Sequence, residues 1–309
     1  MIQKPQTISY RVPETSPLGR AVNAFLLDCE ARNLTTGTLR FYHQRLSTFL
    51  TFLDGQGVTD PTQMTPALLR TFIASYAKHS PYYQHQHARA IKTFCGFLVR
   101  EGSLTDSPMR VVRMPKLPKE VLDPFDAGDV HDLLDACECD RDRAVVLTLL
   151  DSGVRASELL ALDVGDFDTL TGALRVRLGK GRKQRVTFVG SQTRKVIARY
   201  LAERGKVGPS EPLFVTLTGG TRIQFFGLQS LLHRLGRAAD VKPVGAHRFR
   251  RTFAIESLRA GMPLPQLAAL MGHEGLAVLQ RYLRLVDDDL RAAHEAHGAV
   301  DSLLSKKGR

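Results

Sequence analysis

Apolar residues recur at helical spacing through the first hundred residues, and this pattern predicts four helices. Three of them follow a Ser-Pro or Thr-Pro pair, in which the hydroxyl residue can cap the helix and proline takes its first position. These pairs are Ser16-Pro17, Thr65-Pro66 and Ser80-Pro81. The fourth helix is predicted from about Thr36 to Leu53. Residues 1–15 are polar and contain two prolines, so we interpret them as a loose leader.

The periodic pattern is interrupted between residues 107 and 123. Pro108, Pro115 and Pro118 fall in this stretch, together with several Lys and Arg residues. Proline disrupts regular elements, and a cationic stretch of this composition is typical of a solvated connection. The sequence therefore predicts a linker at 107–123, although a basic linker could also follow a polyanionic backbone.

The second half of the chain is again mostly helical, with one exception. Leu174, Val176 and Leu178 alternate with arginines, and a second apolar stretch surrounds Val186 and Phe188. Alternation with a period of two is typical of strands, so this region predicts a basic hairpin. Helices are predicted elsewhere, at 126–137, 144–150, 193–203, 229–239, 249–259, 264–271 and 276–286. The predicted fold class is mainly α with a small β-sheet.

Composition narrows the class of partner. The 309 residues have a formal net charge of +12, and the sequence pI is about 9.8. Such a basic surface favours a polyanion such as nucleic acid. The four cysteines are few and scattered, which favours a reducing compartment, and no apolar run resembles a transmembrane helix or a signal peptide. We therefore expect a cytoplasmic protein that does not bind membranes.

Two short motifs combine arginine with a group three positions away. Arg155 precedes Glu158, so both lie on one face if a helix begins there, and Glu158 could orient the arginine or an imidazole. An ordinary surface ion pair is the alternative. His247 precedes Arg250 in the same way, and here the alternative is a basic helix that lies on a DNA backbone without chemistry. We assign that simpler role to Arg248 and Arg251.

Three further candidates are single residues. Lys180 lies at the predicted hairpin tip and could protonate a leaving hydroxyl, although the segment could be only a turn and Lys183 is a rival. His273 follows Gly272, a predicted helix C-cap, and could equally be a surface histidine. Tyr282 is a candidate nucleophile, but its helix has an apolar stripe, so a boundary tyrosine is the alternative. Metal ligands are not predicted, since nothing completes a set around His294 and His297.

Taken together and in this order, the motifs resemble those of the tyrosine recombinase family, the phage-type integrases, and most closely its compact Xer-like or transposon-borne members. The resemblance covers nearly the whole chain. It depends on the segment from Gly153 to Leu159, on Lys180 within Gly-Lys-Gly, on the His-x-x-Arg box at 247–250, and on Gly272-His273 with Tyr282 nine residues after the histidine.

The resemblance implies a helical core-binding (SAM-like) domain at 16–106, a mixed α+β catalytic domain at 124–295 and a C-terminal helix or tail at 296–309. It implies that Tyr282 attacks DNA to give a 3′-phosphotyrosine and that Lys180 protonates the leaving oxygen. The remaining site residues, which would stabilise the transition state, are Arg155, His247, Arg250 and His273, with Glu158 in support. No cofactor is implied, and the partners are double-stranded DNA and a homo-tetramer or a hetero-tetramer with a related recombinase.

Two alternatives remain open on the sequence alone. A catalytically inactive DNA-binding protein could use the same scaffold and explain the charge, although all six catalytic positions are present. A type IB topoisomerase would share the chemistry and relax supercoils without a specific site. The site-specific DNA recombinase is the function that we expect.

Overall fold

The computed structural model describes residues 10–118, 123–177 and 184–272. The chain divides into two compact units, residues 1–120 and 121–309, which are described separately here. Among the described helices, none combines the length and the apolar character needed to cross a membrane.

The first unit is helical throughout its described residues. Its elements are α1 (Pro17–Ala31), α2 (Thr36–Gly55), α3 (Pro66–Ser75), α4 (Pro81–Arg100) and short 3₁₀ helices at Pro61–Gln63 and Pro108–Val111. The four predicted helices are confirmed. The Ser16 hydroxyl accepts from the backbone N–H of Gly19, and Thr65 caps α3 in the same way. Ser80 makes no such bond, so the predicted cap is wrong there although Pro81 still begins α4.

An aromatic core holds the first unit together. Phe25, Phe49, Phe72 and Phe94 are fully buried. His87 is also fully buried, and its ring stacks on Tyr76 with centroids 4.4 Å apart. Burial, aided by nearby positive charge, lowers the pKa of His87 to about 4, because the low-dielectric interior disfavours imidazolium.

The segments that flank these four helices pack onto them. Val12 is buried and exchanges two hydrogen bonds with the Asn23 side chain, so the described end of the predicted leader is fixed to α1. Met109 and Val112 are buried in the same core. The start of the stretch predicted as a linker therefore packs against the helices, while the exact domain boundaries stay a prediction.

The second unit is also mainly helical and contains the one sheet of the described residues. Its helices are α5 (Ala127–Asp135), α6 (Asp140–Ser152), α7 (Ala156–Ala161), α8 (Ser191–Glu203), α9 (Phe225–Ala238), α10 (Ala246–Arg259) and α11 (Leu264–Met271). Its strands are β1 (Ala173–Val176) and β2 (Arg185–Phe188). The helix predicted at 276–286 lies outside the described residues. The mainly α fold with a small sheet is confirmed.

The two strands pair antiparallel, as the predicted hairpin requires, but the apolar residues of β2 do not face the core. Leu174 and Val176 are buried as expected. On β2, however, Thr187 points inward and donates from its hydroxyl to the Ser152 carbonyl, whereas Val186 and Phe188 are 45% and 51% exposed. The register of the two strands determines which side chains of β2 face inward. Thr187 pairs with the buried Leu174, and side chains opposite each other share a face of the sheet.

Candidate active site

Arg155 enters the site at a sharp change of chain direction. Gly153 ends α6 in the left-handed conformation (φ 61°), and Arg155 then occupies the N-cap position of α7. A Cβ at Gly153 would lie 2.2 Å from the Phe253 ring, so glycine is needed for both conformation and space. Glu158 accepts from the Arg155 backbone N–H and from its Nη1, each at 2.8 Å.

Glu158 is the buried centre of this network. Its side chain is 1% exposed, and Arg185 forks onto it with Nη1 and Nη2 at 2.8 and 2.7 Å from the two carboxylate oxygens. Burial raises the pKa of this carboxyl, but the hydrogen bonds from Arg185 and Arg155 outweigh burial and lower the pKa to about 2. The surface ion pair considered from the sequence is therefore wrong. Within the described residues, Glu158 orients arginines and not an imidazole.

Arg250 reaches the same centre from α10. Its side chain is 4% exposed, Nη1 donates to the Gly153 carbonyl at 2.5 Å, and Nη2 donates to the Met271 carbonyl at 2.7 Å. Nη1 also lies 4.0 Å from a Glu158 oxygen. Phe249, between His247 and Arg250 in the motif, is fully buried.

The simpler role given to Arg248 and Arg251 is wrong. Arg248 donates to the Asp123 carbonyl and to the Asp129 carboxylate, and its guanidinium lies 4.1 Å from the centre of the Phe125 ring. Arg251 is only 9% exposed. Arg248 is therefore held by contacts within the second unit, and Arg251 is buried.

Three arginines converge on the last turn of α11. Arg185 Nε donates to the Leu270 carbonyl at 2.8 Å, Arg250 Nη2 donates to Met271 as above, and Arg155 Nη2 approaches the Gly272 carbonyl at 3.4 Å. Gly272 has φ 64°, which confirms it as the helix C-cap. These cations satisfy carbonyls that a helix end leaves without helical partners. The next residue in the sequence is His273.

Three of the candidate residues, Arg155, His247 and Arg250, border one pocket of about 440 Å³. Its lining includes Arg155, Ser157, Phe225, His233, His247 and Arg250. Desolvation in the pocket, followed by the positive charges of Arg250 and Arg251, lowers the pKa of His247 below its usual value. This shift favours the neutral imidazole over imidazolium, and in the neutral form one ring nitrogen carries no proton.

Lys180, Lys183, His273 and Tyr282 lie outside the described residues, so their predicted roles stay predictions. The same is true of His294 and His297. Within residues 10–118, 123–177 and 184–272, no group of three or more His, Cys, Asp or Glu residues could hold a metal ion.

Sequence reasoning missed two residues of the site. Arg185 looks like one more cation of a basic hairpin, and only the tertiary contact with Glu158 reveals its role. Phe225 lies at the pocket wall and is 57% exposed. In the sequence it is only an apolar residue at the start of a helix, and nothing there indicates that it lines a pocket.

The arrangement suits the binding of an anion with several oxygens. Two guanidiniums oriented by a buried carboxylate and by main-chain carbonyls need little reorganisation when a ligand arrives. A neutral imidazole at the same pocket can exchange a proton or a hydrogen bond with that ligand. A phosphodiester fits this chemistry.

Comparison with known proteins identifies a family and relatives that this chain resembles. The model of the phage integrase family matches residues 124–288. A tyrosine recombinase XerC from Pelobacter propionicus is 30% identical over 289 residues, which span 90% of this chain and 95% of the relative. A tyrosine recombinase XerC from Myxococcus xanthus is 29% identical and covers 91% of this chain and 97% of its own.

Solved structures share the fold. A crystal structure of XerA recombinase is 24% identical, covers 90% of this chain and 98% of its own, and gives a TM-score of 0.52. The Tn1549 transposon integrase in complex with transposon right end DNA is 16% identical, covers 90% and 99%, and gives a TM-score of 0.71. With the family match over residues 124–288, these findings identify the chain as a member of the phage integrase family, the tyrosine recombinases, and thus as a site-specific DNA recombinase.

Proposed function

We propose that this recombinase cleaves and rejoins double-stranded DNA through a 3′-phosphotyrosine intermediate at Tyr282. The observation that carries the proposal is the meeting of Arg155 and Arg250 around Glu158 at one pocket that His247 also borders. Arg155 and Glu158 lie at the start of α7, whereas His247 and Arg250 lie in α10, so two elements distant in the sequence bring their charged side chains to one place.

In the proposed reaction, the Tyr282 phenol loses its proton to solvent, its oxygen forms a bond to the scissile phosphorus, and the bond from phosphorus to the 5′ oxygen breaks. Lys180 gives a proton to that leaving oxygen. Arg155 and Arg250 bind the non-bridging oxygens, whose charge grows in the transition state, and His247 and His273 complete the set of hydrogen-bond donors. Because a phosphotyrosine diester replaces a DNA diester, the reverse attack by a 5′ hydroxyl reseals the strand without a nucleotide cofactor.

Glu158 supports this chemistry without touching the phosphate. Its carboxylate holds the Arg155 backbone and side chain, so the guanidinium keeps its direction before DNA arrives. The fixed cations neutralise charge in the way that Mg²⁺ does in many other phosphoryl transfers.

The proposed organisation places a core-binding domain at 16–106, a linker at 107–123, a catalytic domain at 124–295 and an exchanged C-terminal helix or tail at 296–309. The active assembly on two DNA sites is a homo-tetramer, or a hetero-tetramer with a related recombinase, and the few scattered cysteines suit the cytoplasm. A solved XerH site-specific recombinase bound to its palindromic difH substrate, 17% identical with a TM-score of 0.66, supports DNA as the partner.

The test is covalent capture of DNA. Purified protein is incubated with nicked duplexes taken from DNA that flanks its own gene, and a protease-sensitive adduct is sought on denaturing gels. Tyr282→Phe should bind DNA but give no adduct. Tyr200→Phe is the matched control, since the Tyr200 hydroxyl only accepts from the Val215 backbone N–H, and this variant should keep the adduct.

Each contrary result has a separate meaning. An adduct that persists in Tyr282→Phe would contradict the assigned nucleophile. Tight DNA binding without any adduct would favour the inactive DNA-binding protein. Relaxation of supercoils without a specific site would favour the topoisomerase.

A further inference from the structure

Arg185 is a third arginine of the site, and all three of its guanidinium nitrogens are occupied by protein groups. It begins β2 opposite Val176, and its side chain is only 10% exposed. Nη1 and Nη2 bind both oxygens of Glu158, while Nε donates to the Leu270 carbonyl in the last turn of α11.

We propose that Arg185 is a positioning residue for DNA cleavage, which fixes Glu158 and the C-terminal turn of α11 relative to each other. The inference rests on the proposed function, because it concerns the same site. Arg185 would act through Glu158 on Arg155, and through Leu270 on the chain that continues to His273.

The contacts argue against a direct role at the phosphate. Arg185 is not among the described residues that line the pocket of Arg155, His247 and Arg250. The Glu158 side chain that Arg185 binds is only 1% exposed. If Arg185 left Glu158 to bind DNA, the buried carboxylate would lose one of its two arginine partners, which is costly.

Close packing around Gly272 also supports a positioning role. A Cβ added at Gly272 would lie 2.9 Å from Arg185 Cδ and 3.0 Å from Arg185 Nη1. The turn and the guanidinium are thus in direct contact, with no space for a looser arrangement. In the sequence, Arg185 also follows Lys180 by five positions, so the strand that it fixes continues directly from the segment with the proposed general acid.

Arginine is required for this geometry. A guanidinium is planar, and its fork can bind both oxygens of a carboxylate while the third nitrogen points along the side chain to another acceptor. A lysine ammonium keeps the charge but is a single point donor, so it cannot hold Glu158 and Leu270 in the same fixed relation.

The test compares Arg185→Lys with Arg177→Lys. Arg177 follows β1 in the same hairpin and pairs with Asp166, whose side chain is also 1% exposed. The described carboxylates that it contacts are Asp163 and Asp166, which belong to neither α7 nor α11. The matched change therefore removes a guanidinium contact with a buried carboxylate next to the same sheet. Single-turnover cleavage of a nicked duplex at saturating protein, apparent DNA Kd and thermal unfolding are measured for both variants.

We expect Arg185→Lys to cleave at least tenfold more slowly than the wild type, with a DNA Kd within about twofold of it. Arg177→Lys should cleave at a rate near that of the wild type. The acid side of the pH–rate profile should move to higher pH in Arg185→Lys alone, since Glu158 then loses its forked partner and protonates more easily.

Three results would overturn the inference. These are wild-type cleavage by Arg185→Lys, a loss confined to DNA Kd, or an equal loss of rate in Arg177→Lys. If the wild-type protein forms no adduct with any site, the proposed function fails instead. Hydrogen exchange of the α11 amides then decides the inference separately, because Arg185→Lys should speed exchange in this helix while Arg177→Lys should not.

Discussion

Arg250 donates a 2.7 Å hydrogen bond from Nη2 to the carbonyl of Met271, two residues before His273 in the sequence. The same guanidinium bonds the carbonyl of Gly153, two residues before Arg155. One buried side chain therefore connects the first motif, the His-x-x-Arg box and the start of the last motif.

Replacement of Arg250 should affect rate and stability together. We expect Arg250→Ala to reduce single-turnover cleavage by at least a hundredfold, as loss of a transition-state donor does. It should also lower the free energy of unfolding by about 2 kcal/mol or more, since two buried carbonyls lose a charged donor. Arg259→Ala on the same helix removes an exposed ion pair with Glu256 and should cost less than about 1 kcal/mol, with normal cleavage. Equal effects of the two changes would contradict the assignment.

Gly153 should be far less replaceable than another left-handed glycine of the second unit. Gly153→Ala combines a strained φ with a clash against Phe253, so we expect a loss of about 2–5 kcal/mol and slower cleavage through displacement of Arg155. Gly261 has φ 84° but nothing within 4 Å of an added Cβ, so Gly261→Ala should cost only about 1–2 kcal/mol. Calorimetric unfolding compares the two, and a similar loss at both positions would show that the Phe253 contact does not matter.

Glu158 should make the second unit sensitive to acid. Its folded-state pKa of about 2 lies below the ordinary value of 4.5 for a glutamate, so the unfolded chain binds the proton more readily. The stabilisation is complete above about pH 4.5 and is lost as pH falls from there to about 2, with a total on the order of 3 kcal/mol. In Glu158→Gln the unfolding temperature should be lower at neutral pH, and the difference from wild type should shrink across this window. A difference that stays constant with pH would contradict the ionised, doubly paired carboxylate.

His87 should make the first unit lose stability on acidification, at a higher pH than Glu158 does in the second unit. Its folded-state pKa of about 4 lies below the ordinary value of 6.5 for a histidine, so protonation favours the unfolded chain. Stability should therefore fall as pH decreases from about 6.5 to about 4, by on the order of 3 kcal/mol. His87→Phe keeps a ring against Tyr76 and should remove this decline, while His85→Phe, a half-buried neighbour that binds the Pro115 carbonyl, should leave it in place. The unfolding temperature of residues 1–120, followed by circular dichroism from pH 4 to 7, separates these outcomes.

The sequence was most informative where one residue type has one local effect. Proline after a hydroxyl residue predicted the start of α1 and α3, and glycine predicted the C-caps at Gly153 and Gly272. The sequence was less informative about where a helix begins when the first turn of that helix is polar. The helix predicted from residue 144 begins at Asp140, and the one predicted from Phe249 begins at Ala246, because apolar periodicity marks only the buried face.

The residues of the candidate site can also be separated into those that the sequence identified and those that it did not. Arg155, Glu158, His247 and Arg250 could be selected from motif spacing, and the structure brings these four together. Arg185 and the inward Thr187 could not, since both depend on strand register and on contacts with residues distant in the sequence. Arg248 was misjudged for a related reason. Its charge suggests a surface, but its position on α10 places it against Phe125 and Asp129.

The contacts made by the last turn of α11 affect the order in which the protein folds. It is bound by arginines 117, 85 and 21 residues earlier in the chain, so the site depends on contacts of high sequence separation. Closing such long loops has an entropic cost that local helices avoid, and formation of these contacts belongs to a late stage of folding. A nascent chain on the ribosome can form α6 and the hairpin early, but it cannot complete the phosphate-binding arginines until α11 has emerged. A chain that ends before α11 therefore cannot hold these arginines in their final arrangement.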